Sequence, residues 1–211
     1  MPDDVRNHPF TQLHTKKFQR LEQIQNWLSQ RINFDVMSAL QGTEITLPEF
    51  RILPQFTMKD FTHSSVLNRY NSDPTNRIKI SNVIPEKYLQ RAQETIDLLN
   101  DLQDAWGSKL ILSSGYRSRD LNTALKRYGH KPSAKSLHMS GAAMDFYPED
   151  PNVNMVEFQN FVKNYLDEHG IGFDQLLYEY DKAGKKWIHL GLYNNLGNQR
   201  RQVRIYNPDA K

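Results

Sequence analysis

Two histidines and an aspartate bring the residue types that do chemistry. His138 and Asp145 stand seven residues apart in "SLHMSGAAMDF", with only small or apolar residues and one Ser between them, and His189 lies inside the apolar run "WIHLGL". Taken singly, each histidine reads as a buried imidazole satisfied by a backbone carbonyl, and His138 with Asp145 as a satisfied core pair. Taken together they offer two imidazoles and one carboxylate from three backbone positions, the set a hydrolytic zinc site uses while keeping a fourth position for water. Cysteine is absent, so any metal must be held by His, Asp or Glu. A metal-bound water needs a base nearby. Glu179 is the first candidate, in "FDQLLYEY", and Asp181 the second. Arg117, in "SSGYRS", follows a β-type run at the mouth of a turn, where a guanidinium can hold a carboxylate or carbonyl oxygen. Its other reading is a helix-start arginine paired with Asp120.

These side chains need strands to aim them. "FDQLLYEY" and "KWIHLGLY" flank "DKAGK" and predict a hairpin with Gly184 at the turn. Alternation puts Trp187, His189 and Gly191 on one face of the second strand, and Leu177, Glu179 and Asp181 on one face of the first. Glu179 shares the His189 side only if the two are opposite or offset by an even number. A three-residue loop Ala183–Lys185, with Gly184 at positive φ, predicts Glu179 opposite His189. "KLILSS", "GAAMDFYP" and "QVRIY" supply further strands. Helices are expected from Thr11 to Asn33 (Phe18, Leu21, Ile24, Leu28 and Ile32 in phase), from Pro85 to Gly107, in "RDLNTALKRYG", and in "NMVEFQNFVKNYLDEHG". Residues 42–81 read as a wrapping linker and a polar loop region. Fold class is therefore α+β, a mainly antiparallel sheet with flanking helices. An N-terminal helical extension with its linker (1–55) is expected to precede a catalytic domain (56–211).

Composition narrows the function. At 211 residues the chain can bury a sizeable core, and a mean hydropathy of −0.73 implies a wet surface. No apolar run approaches the ~18 residues of a membrane span. The start "MPDDVRNHPF" lacks a basic segment followed by an apolar one, so no ordinary secretory signal is expected. Net charge is only +3, and the basic cluster "NQRRQVR" reads as solvated surface without a nucleic-acid motif beside it.

In order and spacing, "SGYRS", "SLHMSGAAMDF" and "WIHLGLY" resemble the motifs of the LAS zinc peptidases. These are the D-alanyl-D-alanine carboxypeptidases, the D-Ala-D-Ala dipeptidases and the L-alanyl-D-glutamate endolysins. Their pattern S-x-H-x-x-G-x-A-x-D is met at Ser136, His138, Gly141, Ala143 and Asp145, and the likeness spans about residues 56–193. It implies a hedgehog/DD-peptidase-like fold, with Zn2+ bound by His138, Asp145 and His189. It also implies Glu179 as general base, Arg117 on the substrate carbonyl and its oxyanion, and Ser136 and Gln175 in substrate binding. Several branches carry the base three residues before the last histidine. That position is Lys186 here, so the likeness is to the carboxypeptidase-like branch, whose glutamate sits on the preceding strand. The implied substrate is a peptidoglycan stem peptide. With no signal peptide, the expected setting is a protein made in the cytoplasm that acts on the cell wall, as a phage lysin or virion-associated hydrolase. The competing reading is a non-catalytic phage structural or tail protein using the same fold as a binding module. In that reading a virion protein partner docks on the N-terminal helix. A nucleic-acid partner is not expected.

Overall fold

The computed structural model describes residues 53–194 and 196–207. The chain divides between Arg51 and Ile52, and every described residue lies in the second unit, Ile52–Lys211. The helix expected over Thr11–Asn33 lies outside the described residues.

Five α-helices and five strands make up the described chain. In order they are α1 (Met58–Thr62), α2 (Ser65–Ser72), α3 (Glu86–Trp106), β1 (Leu110–Ser114), α4 (Arg119–Ala124), β2 (Ala143–Pro148), α5 (Met155–Glu168), β3 (Gln175–Tyr180), β4 (Lys186–Gly191) and β5 (Gln202–Tyr206). The sheet order is β1-β2-β4-β3-β5. The first four strands pair antiparallel, while β5 runs parallel to β3, so the sheet is mixed but mostly antiparallel and the fold is α+β. Among the described residues no helix is long and apolar enough to cross a membrane.

One face of the sheet is the core. α3 begins at Pro85, ends at Gly107 (φ 72°), and buries Ala92, Ile96, Leu99 and Leu102 on one helical stripe. α5 starts where the Asn154 side chain accepts from the N–H groups of Val156 and Glu157, and it buries Phe158, Val162 and Leu166. These stripes join Met144, Phe146, Leu176, Ile188 and Leu190 in a single cluster. Each large side chain so buried contributes about 1.5–3 kcal/mol. The opposite face is left for polar residues.

Two expectations are corrected. The segment read as polar loop holds α1 and α2. Thr57 and Asp60 form a reciprocal capping box that starts α1, Phe61 anchors it in the core, and the Ser64 side chain caps α2. The β3–β4 register also differs: Glu179 pairs with Trp187, and Leu177 with His189. The hairpin turn takes five residues, Asp181–Lys185, because Asp181 Oδ1 accepts from the Lys185 N–H (2.9 Å) and holds a wider loop closed. An offset of two is even, so Glu179 still shares the face of His189.

Candidate active site

Asp145 and His189 are directly opposite on β2 and β4, pointing away from the core. Beside Asp145 the β1–β2 ladder slips between Leu112 and Ser114, and Ser113 Oγ donates to Asp145 O (3.1 Å). Such a bulge re-aims neighbouring side chains. His138 arrives from a 3₁₀ turn (Leu137–Ser140) that ends at Gly141, φ 70°. A Cβ on Gly141 would meet Ala92 Cβ at 3.2 Å, and Thr95 Oγ1 donates to Gly141 O at 2.8 Å. The small residues of the segment thus let its loop press against α3.

His138 is fully buried, and its Nδ1 lies 2.7 Å from Gly115 O. A carbonyl only accepts, so Nδ1 carries the proton and Nε2 presents a lone pair. Gly115 has to be glycine, because a Cβ there would lie 2.3 Å from Phe61 O. His138 Nε2 is 3.2 Å from Asp145 Oδ1 and 3.3 Å from His189 Nδ1, and that nitrogen is 2.8 Å from the same Asp145 oxygen. Three electron-pair donors crowded together repel unless a proton or a cation sits among them. Donors 2.0–2.1 Å from a tetrahedral ion lie about 3.3 Å apart, so this triangle fits such an ion. Among the described residues, His138, Asp145 and His189 form the one group able to hold a metal ion.

Charge follows from this packing. Burial lowers the His138 pKa to about 4, helped by the Arg117 charge, which keeps the imidazole neutral and fit to ligate. Burial opposes ionisation of Asp145, but the hydrogen bond and charge of His189 beside it help hold the carboxyl well below its usual range. For His189, burial is overcome by the hydrogen bond and charge of Asp145, and its pKa rises. Burial likewise pushes the Glu179 carboxyl up.

The cleft over this face has a volume of about 1450 Å³ and is lined by Arg117, Ser136, Gln175, Glu179 and Asp181 as well as the triangle. Arg117 turns inward, with Nη2 3.6 Å from Asp145 Oδ2, so the local pairing with Asp120 gives way to a cross-sheet one. Its Nε is buried without a hydrogen-bond partner. Glu179 Oε2 accepts from Trp187 Nε1 at 2.8 Å. Asp181 is engaged in the hairpin turn through Lys185. Gln175 lies between Gly191 and Gln202 in the sheet, with Nε2 3.5 Å from Gln202 Oε1. Ser136 opens the 3₁₀ turn of His138 without capping it by its side chain.

Sequence reasoning missed three contributors. Trp187 was accessible, since alternation puts it two residues from His189 on the same face. The Gly115 carbonyl has no sequence signature. Nor has Asn82, buried in the segment that leads into α3, whose Nδ2 donates to Thr62 O and Tyr116 O and whose Oδ1 accepts from the Ser118 N–H. The last two bonds bracket Arg117. Asn82→Ala would leave three backbone groups without this partner, one of them buried and two half-buried, and is expected to cost about 2–4 kcal/mol. Thermal unfolding reads the loss, and amide exchange should quicken at Arg117 and Ser118 before Leu99. Unchanged exchange at those two residues would rule out the clamp.

The sequence profile described as Peptidase M15 matches residues 54–190. No curated protein gives a significant match.

Proposed function

Since the chain belongs to the Peptidase M15 family of zinc peptidases, we propose that it hydrolyses the stem peptides of peptidoglycan as a D,D-carboxypeptidase or murein endopeptidase. In this reading His138, Asp145 and His189 hold the zinc. The observation that carries it is the donor triangle with edges of 2.8–3.3 Å, whose His138 ring is fixed from behind by Gly115 O. Outer partners of this kind orient a ligand and raise its basicity.

Zinc bound there supplies a Lewis acid and lowers the pKa of a water toward about 7. The chain's own groups do the rest. Trp187 Nε1 fixes Glu179 Oε2 and leaves Oε1 as the oxygen able to take a proton from the attacking water. As the C–O bond forms, the Arg117 guanidinium, on the cleft wall, donates to the carbonyl oxygen while it gains negative charge. Glu179 then passes its proton to the amide nitrogen, the C–N bond breaks, and the amine leaves. Ser136 and Gln175, on the cleft wall, contact the peptide on either side.

The test is metal analysis of purified protein followed by incubation with murein sacculi, with and without chelator. About one zinc per chain is expected, with muropeptide release that chelator abolishes and added zinc restores. Mass spectrometry of the products then names the bond cut. Sacculi digested equally well by the chelated, metal-free protein would defeat the reading.

A further inference from the structure

β5 lies beyond the family-matched segment, which ends at residue 190. It adds nothing to the core: no β5 residue joins the buried cluster, and Val203 and Ile205 are 39% and 58% exposed. Two buried polar side chains nonetheless hold it in place. Asp174, fully buried, accepts from the Arg200 N–H and binds its guanidinium through both carboxylate oxygens, fixing the approach to β5. Gln159 of α5, 4% exposed, donates from Nε2 to Leu176 O on β3 and Arg204 O on β5, stitching the two strands from behind. Buried polar groups committed to a strand that stabilises so little indicate that the strand matters for its other face.

The parallel register says which residues that face carries. Gln202, Arg204 and Tyr206 lie beside Gln175, Leu177 and Glu179, and all three line the cleft. His189, Leu177 and Arg204 form one cross-strand row. Two strand spacings, about 10 Å of backbone, separate the metal-site histidine from Arg204. Among the described residues the Arg204 guanidinium has no ion-pair partner, whereas the neighbouring Arg200 is bound to Asp174. A planar guanidinium between an amide and a phenol suits a carboxylate. An extended peptide advances about 3.3–3.6 Å per residue, so that carboxylate lies two or three residues from the bond cut.

We propose that β5 is a substrate-selecting wall on which Arg204, flanked by Gln202 and Tyr206, binds a free carboxylate of the peptide at a distance from the scissile bond. This rests on the hydrolase reading above. Stem peptides with lysine at the third position carry such a group in two places: the α-carboxyl of the γ-linked D-glutamate, at this reach when a bond near the C-terminus is cut, and the C-terminus, at this reach when a bond nearer the start of the stem is cut.

The experiment uses three synthetic stem pentapeptides: unmodified, amidated at the D-glutamate α-carboxyl, and amidated at the C-terminus. Each is titrated calorimetrically against zinc-loaded Glu179→Gln protein, with and without Arg204→Ala, and each is assayed with the active enzyme. One amidated peptide is expected to bind about tenfold or more weakly than the unmodified one, which identifies the carboxylate. In Arg204→Ala the two should bind equally, with the loss in turnover assays falling on KM more than kcat. Arg204→Glu should reverse the preference, and Ile205→Ser, on the opposite face, should leave it intact. Equal binding of all three peptides to the parent protein would overturn the proposal, as would a preference that survives Arg204→Ala. Because titration needs no turnover, failure of the hydrolase reading appears separately, as carboxylate-dependent binding without cleavage.

Discussion

Replacing His138 with alanine is expected to empty the metal site and take hydrolysis with it. Outer partners alone typically change metal affinity 10–100-fold, so loss of a ligand should cost at least about a hundredfold. Zinc content should fall from about one per chain toward none, and muropeptide release should fall below detection. The substitution also leaves Gly115 O without its donor in a fully buried position, a cost of about 1–3 kcal/mol. Thermal unfolding of the metal-free wild type and variant separates that cost from loss of zinc. His189→Ala is the companion, since His189 is 12% exposed at its side chain and lacks the Gly115 contact. A His138→Ala protein that keeps zinc and digests sacculi at the wild-type rate would remove the triangle from the chemistry.

Glu179→Gln should do the reverse: keep the zinc and lose turnover by about 10²–10⁴-fold, the range for removing a general base. Glutamine preserves the shape and still accepts from Trp187 Nε1, so packing changes little. What disappears is the ability to carry a proton from water to amine. Asp181→Asn serves as the control, and a change of only a few fold is expected because that carboxylate already accepts from Lys185 N–H in the turn. Full activity in Glu179→Gln with collapse in Asp181→Asn would transfer the role.

The site was more legible than its supports. His138 and Asp145 fall within one short segment, and the face shared by Trp187, His189 and Gly191 follows from strand alternation alone. Parity also protected the Glu179 expectation: moving the hairpin from three turn residues to five shifts the register by two, which changes the partner from His189 to Trp187 but not the face. The turn length itself hung on one side-chain bond from Asp181, which spacing does not reveal. α1 carried a readable sign, Thr57 three residues before Asp60, that the surrounding polar residues masked. Asn82 is different in kind. Its partners Thr62 and Tyr116 lie 20 and 34 residues away, so its importance exists only after folding. "QVRIY" reads as a strand, yet nothing within it says that it runs parallel to β3.

The sheet buries one face and opens the other, and along the central strands that division follows residue number. Met144, Phe146, Leu176, Ile188 and Leu190 are even and belong to the core. Asp145, Leu177, Glu179, Trp187 and His189 are odd and line the cleft. The two sets tolerate change under different rules. Even positions answer to volume and packing density, odd positions to charge and reach. A lineage or a protein engineer could therefore rework what the cleft accepts, beginning with the positions around His138, Asp145 and His189, while the melting temperature barely moves.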